Sequence, residues 1–234
     1  MNNTQIAHQL SEYNLFYELE PVQIDQLAQR TIFLETPRGA ILFNQYDSMH
    51  GFYLLVKGLV KLGVISVQGD EKVISLIQPE QSFGEEALFI EGTFPTFASA
   101  MLDSEVLFIP KNAIFDILDN NVKVVRSMLE LLSARNCQLV LDIKSISLQN
   151  STQRLIGYLL QISMKFPHLT CVSLPANRLT IASMLNITPE TFSRVLLRLS
   201  NAGLIEVNGK EVVINNVAEL RNFSEVNRVT ICLS

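Results

Sequence analysis

The segment Ile187-Thr188-Pro189-Glu190-Thr191-Phe192-Ser193-Arg194 reads as the start of a DNA-recognition helix. Thr188 is an N-cap type whose hydroxyl accepts from the first free backbone N–H groups. Pro189 follows at the first helical position, where its missing N–H is no loss. Phe192, Val195, Leu196 and Leu199 then recur at helical spacing and face a core. Glu190, Ser193 and Arg194 share the opposite face. Arg reads guanine, Glu accepts from the cytosine amino group, and Ser serves several bases. A Glu and an Arg four residues apart also make a common surface ion pair. The flanking residues decide between these readings.

Pro175 to Leu185 reads as a short helix with Leu179, Ala182 and Leu185 on one face. Asn186 follows as a turn residue that tolerates positive φ. Ala182 is small enough for two helices to cross closely. Together these make a helix-turn-helix pattern, whose second helix enters the major groove. Asn201-Ala202-Gly203 stops that helix. Leu204 to Ile214 alternates apolar residues around Asn208-Gly209, a hairpin signature. A hairpin there makes the unit a winged helix-turn-helix.

Charge agrees once the chain is divided. Its net charge is −5, which by itself argues against a nucleic-acid partner. Residues 1–149 hold 10 basic and 18 acidic residues, a net of −8, whereas 150–234 hold 8 and 5, a net of +3. The basic excess sits where phosphate contact needs it. It is modest, so dimerisation is expected to supply part of the affinity. The chain is 48% hydrophobic, yet no apolar run is long enough to span a membrane. The start Met-Asn-Asn-Thr-Gln has no signal-peptide pattern. Cys137, Cys171 and Cys232 are too far apart for a disulfide framework, zinc knuckle or other metal motif. A reducing cytoplasm is the expected location.

Residues 4–30 read as helical with a break near Glu20-Pro21. From Ile32 to about Pro110 short β segments follow: 41–43, 51–56, 59–62, 73–77, 98–100 and 105–109. Many short strands with regular turns point to a β-sandwich or roll. From Asn112 to about Leu148 the pattern is helical. Val125, Leu129, Leu132, Asn136, Leu139, Ile143 and Ile146 alternate in spacings of three and four, as in a coiled-coil seam. One polar Asn136 in the seam fixes register and favours a dimer. Off-seam Met128, Leu131, Val140 and Leu141 can pack on the sandwich. Asn150 to Lys165 is a further helix, ended by Phe166-Pro167-His168. The expected class is α+β. A jelly-roll sensor domain spans 1–120, a dimerisation helix 121–148 and a winged helix-turn-helix DNA-binding domain 149–234. With no flexible linker between the long helix and the next, movement in the roll can reach the reader.

Over nearly its whole length the sequence resembles the Crp/Fnr family of bacterial transcription regulators. Pro189-Glu190-Thr191-Phe192-Ser193-Arg194-Val195-Leu196-Leu197-Arg198-Leu199 is similar to that family's recognition helix. Phe83-Gly84-Glu85-Glu86-Ala87-Leu88-Phe89, then Pro95-Thr96-Phe97-Ala98-Ser99-Ala100, resembles its cyclic-nucleotide-binding cassette. The resemblance implies that Glu190, Ser193 and Arg194 read a TTGAT-type half-site of a palindrome, beside Thr188 and Thr191. Arg154, Arg178 and Arg198 are candidates for phosphate contact. The partners so implied are double-stranded DNA, a second copy of the chain and, for an activator, RNA polymerase.

The departures concern the signal. Cyclic-AMP receptors hold the phosphate with an Arg-Ser pair in the cassette, where this chain has Thr96-Phe97-Ala98-Ser99 and no Arg. A buried phosphate without a cation is poorly compensated. Where those receptors place a polar Thr-Ser pair on the long helix, this chain aligns Leu139-Val140. The expected effector pocket, formed by Phe83, Gly84, Glu85, Thr96, Phe97, Leu139 and Val140, is therefore apolar, and cyclic AMP is not its ligand. Residues 1–136 contain no cysteine, so no Fnr-type iron–sulfur cluster is expected. Within the family the resemblance is to the Dnr group, the dissimilatory nitrate respiration regulators, which implies haem and nitric oxide as a hypothesis. His8, His50 and His168 are the histidines available as axial ligands. A sensor module acting through protein partners is the alternative, but it needs neither wing nor reader. No catalytic pairing supports an enzyme: adjacent Glu85-Glu86 would point to opposite faces of a strand.

Overall fold

The computed structural model describes residues 1–90, 92–165 and 171–229. The chain forms two compact units, Met1–Gln138 and Leu139–Ser234.

The first unit opens with α1 (Asn3–Ser11) and α2 (Pro21–Arg30), followed by strands. The Asn2 side chain accepts from the Gln5 backbone while that of Gln5 accepts from Asn2, a reciprocal cap. Glu20 and Gln23 repeat the device at α2, with Pro21 at its first position. The strands are β1 (Ile32–Thr36), β2 (Ile41–Phe43), β3 (Gly51–Lys57), β4 (Val60–Ile65), β5 (Glu71–Ile77), β6 (Ser82–Phe83), β7 (Phe97–Ala100) and β8 (Ser104–Pro110). They form two antiparallel four-stranded sheets, ordered β1-β8-β3-β6 and β2-β7-β4-β5. This is the expected jelly roll. β3 lies between β8 and β6, with Tyr53 opposite both Phe108 and Phe83. Five successive residues, Gly51 to Leu55, are buried, so this strand is covered on both faces. Phe52, Leu54, Leu55, Leu107 and Ile109 share one core with Leu10 of α1, Leu27 of α2 and Phe16 of the 3-10 turn between them, Asn14–Phe16.

The long helical stretch expected from Asn112 is broken. α3 (Lys111–Leu118) ends before α4 (Val122–Leu148) begins. Between them the Asn121 side chain accepts from the backbone N–H groups of Lys123 and Val124 and starts the second helix. Val124 and Met128 of α4 are buried in the roll's core. Val125, Leu131 and Leu132 are half-buried against it.

The second unit holds α5 (Ser151–Lys165), β9 (Cys171–Ser173), α6 (Arg178–Met184), α7 (Pro189–Asn201), β10 (Ile205–Asn208), β11 (Glu211–Ile214) and α8 (Val217–Val229). α5 packs on α7 and α8. Leu155, Ile156, Leu159, Ile181, Phe192, Leu199, Ile205, Val212 and Leu220 are buried there. The sheet order is β10-β11-β9. β9 was not among the expected strands: at three residues it is too short for a period-2 pattern, and its pairing with β11 is tertiary. The wing turn also differs by one residue. Asn208 pairs with Glu211, which leaves Gly209-Lys210 as the two-residue loop, with Gly209 at φ 64°. Positive φ at the first loop position fits a type II′ turn. Among the described residues, no helix is long and apolar enough to cross a membrane.

Candidate nucleic-acid interface and effector cassette

The turn between α6 and α7 is built from local hydrogen bonds. Asn186 takes φ 55°. Its N–H donates to the Ser183 carbonyl at 3.0 Å, and that of Ile187 to Ala182 at 3.0 Å. This pair of bonds is a Schellman motif with Asn in the left-handed position. The end of α7 repeats it: Gly203 at φ 70° donates to Ser200 at 2.9 Å, and Leu204 to Leu199 at 3.1 Å. Both helices are thus ended by residues visible in the sequence. α6 is shorter than expected, because the Asn177 side chain caps it by accepting from the Thr180 N–H. Its buried face is Thr180, Ile181 and Ala182. Leu179, assigned to that face from spacing, is exposed. The buried face runs through Thr180 and Ile181 instead, and Ala182 keeps its expected place on it.

On α7, Thr188 Oγ1 accepts from the Thr191 N–H at 3.2 Å. Phe192, Val195, Leu196 and Leu199 are buried, while Glu190, Ser193 and Arg194 are exposed together. Glu190 and Arg194 do not pair. Arg194 donates instead to Thr191 Oγ1 at 3.4 Å. The Glu190 carboxyl is held below its ordinary pKa by its own backbone N–H and by the Thr188 hydroxyl. It therefore stays an acceptor at neutral pH. Arg178 is exposed at the first position of α6. The Arg198 guanidinium lies 5.4 Å from the Phe223 ring centroid, a cation–π contact that orients it. Arg154 is half-buried on α5 with no partner for its Nε among the described residues, and burial lowers its pKa.

In the first unit, β6 leads through Gly84 into a short 3-10 turn, Glu85–Ala87. Gly84 sits at φ 85°, and a Cβ there would meet the Phe94 ring at 3.0 Å. Phe83 and Phe97 are buried and Thr96 is half-buried. Phe83 stacks on Tyr53 at 5.2 Å between centroids. Glu85 is 1% exposed. The expected apolar, cation-free pocket is corrected here. Arg135, from α4, donates through Nε to Glu85 Oε1 at 3.3 Å and through Nη2 to the Ser82 carbonyl at 2.6 Å. Arg135 was missed because it lies 50 residues from Glu85 in sequence. The available signal was Glu85 itself, since a buried carboxylate needs a cation. Glu85 Oε2, Ser82 Oγ and Thr96 Oγ1 are buried with no hydrogen-bond partner among the described residues. Leu139 and Val140 belong to the second unit and are exposed.

Of the seam, Val125 and Leu132 are half-buried, Asn136 is exposed, and Leu129, Leu139, Ile143 and Ile146 are exposed apolar residues. A haem does not fit the cassette, whose polar centre is an ion pair and whose segments 83–89 and 95–100 hold no His, Cys or Met. His8 is exposed on α1 beside Glu12. His50 lines a cavity of about 370 Å³ with Phe43, Tyr53, Phe94 and Phe108. His168 and Cys232 lie outside the described residues. Among the described residues, no group of three or more His, Cys, Asp and Glu could hold a metal ion.

Residues 33–121 match the cyclic nucleotide-binding domain family, and residues 153–223 the Crp-like helix-turn-helix domain family. The fumarate and nitrate reduction regulatory protein of Vibrio cholerae is 28% identical over 215 residues, 90% of this chain and 85% of that protein. The crystal structure of DNR from Pseudomonas aeruginosa is 30% identical, covers 95% of this chain and 99% of its own, and superposes with a TM-score of 0.51. FixK2 from Bradyrhizobium japonicum shares the fold at a TM-score of 0.75 and 19% identity, covering 82% of this chain and 96% of its own.

Proposed function

Because this chain belongs to the Crp/Fnr family, as a DNA-binding transcription regulator with a sensor domain, we propose that it acts as a homodimer reading a TTGAT-type palindrome. The observation that carries this is the exposed set Glu190, Ser193 and Arg194 on a capped helix. Arg194 reads guanine and Glu190 accepts from cytosine; Thr188 and Thr191 hold the helix start. Arg178 and Arg198 contact phosphate. The exposed row Leu129, Leu139, Ile143 and Ile146 pairs with the same row of a second copy, with Asn136 setting register. Two readers then meet half-sites about one DNA turn apart.

The effector binds at Phe83, Gly84, Glu85, Thr96 and Phe97 and shifts the population between two dimer states through the long helices. Arg135 already faces Glu85, so the site has no free cation for a cyclic phosphate. Its unpaired acceptor Glu85 Oε2 and hydroxyls Ser82 Oγ and Thr96 Oγ1 suit a ligand with hydrogen-bond donors. The protein works in the cytoplasm, and an activating form contacts RNA polymerase. Band-shift titration of the full chain tests the reading. Selective binding to the palindrome is expected; binding that is equal on all sequences and falls steeply with salt overturns it. Sedimentation of Ile143→Glu tests the dimer: a shift to monomer supports it, and an unchanged mass overturns it.

A further inference from the structure

Among the described residues, Leu197 is the one large apolar side chain exposed on α7, at 62%. The helix needs no apolar group there, since its buried face is complete with Phe192, Val195, Leu196 and Leu199. At about 100° and 1.5 Å per residue, Leu197 falls about 20° around the helix from Glu190. In angle it lies between Ser193 and Arg194. Along the axis it is about 4.5 Å beyond Arg194, between one and two base steps. Whatever surface engages Glu190, Ser193 and Arg194 therefore meets Leu197 as well.

From this placement we infer that Leu197 is a specificity-determining residue that reads a thymine by apolar contact with its C5-methyl group. The inference rests on the base-reading role proposed for α7. Leu has no donor or acceptor, so it cannot distinguish bases by hydrogen bonding. On the major-groove edges, the thymine methyl is the apolar group that a side chain can read. Contact covers Leu197 and desolvates the methyl together, whereas a cytosine at that position leaves the leucine against a polar edge.

The test uses the full chain and a site enriched from random duplex DNA, so that it does not depend on the TTGAT assignment. Each thymine of the enriched half-site is replaced in turn by deoxyuridine, which removes only the methyl. At one thymine the wild-type protein is expected to lose about fourfold in affinity per half-site, as for one buried methyl-sized group. Leu197→Ala, which keeps a good helix former at an exposed position, should lose almost nothing there and match wild type at every other thymine. Equal losses for both proteins at every thymine, or none in wild type, overturn the inference while leaving base reading by Arg194 intact. Failure to enrich any site overturns base reading itself, and Leu197 with it.

Discussion

The recognition helix and the effector cassette handle their polar groups in opposite ways. On α7 the functional side chains are exposed, and the backbone groups at the helix ends are capped by Thr188 and by the Gly203 turn. In the cassette the candidate carboxylate, Glu85, is buried, one oxygen bound by Arg135 and the other without a hydrogen-bond partner among the described residues. A reader built from exposed groups on a self-sufficient helix is separable from stability. A sensor built from buried polar groups is not, because each one lost or added changes the folded state's own electrostatics.

The largest expected effect breaks the cassette. Arg135→Ala leaves Glu85 buried without its cation and should lower the sensor unit's stability by about 3 kcal/mol in urea denaturation. Adding Glu85→Gln should recover much of that loss, since the orphaned charge is then gone. No recovery would mean that Arg135 acts through packing. On the reader side, Arg194→Ala should weaken binding by about 1–3 kcal/mol per half-site. Its melting curve should stay within about 0.5 kcal/mol of wild type. Thr188→Ala blurs the division, because the same hydroxyl caps the helix and lies at the interface. It should lower stability by about 1 kcal/mol in denaturant titration and weaken DNA binding as well. The smallest effect is with pH. Glu190's carboxyl lies below its ordinary pKa, so its contribution is full above the unfolded value and is lost only as pH falls through the lowered one. Discrimination at the base it reads should hold steady from pH 8 to about pH 5 in anisotropy titrations; a decline across that range would contradict the Glu190 environment described here.

The same contrast explains what was legible in the sequence. Thr188, Pro189, Asn186 and Gly203 act within a few residues of themselves, and their structural roles follow from residue type and spacing. The alternating and heptad patterns likewise locate the roll and the long helix. Leu179 was misplaced because the buried face of this seven-residue helix includes the polar Thr180 beside Ile181, which the spacing of the leucines does not mark. The gap between α3 and α4 escaped notice because Asp119-Asn120-Asn121 interrupts an otherwise continuous helical pattern over only three residues, with Asn121 capping the second helix. Arg135 was invisible because nothing local marks a partner 50 residues from its acid. Where function rests on a tertiary pairing of charges, composition and periodicity cannot find the second member.

The central claim, that α7 reads sequence through its exposed triad, is tested most directly by fluorescence anisotropy on two duplexes. One carries the TTGAT inverted repeat and the other has each half-site guanine–cytosine pair replaced by adenine–thymine. Wild type should prefer the first by about 1–3 kcal/mol per half-site; Arg194→Ala should lose most of that preference, and the double variant Glu190→Ala/Arg194→Ala should bind both alike. Equal binding of both duplexes by the wild-type chain, or a preference that survives undiminished in Arg194→Ala, would contradict it.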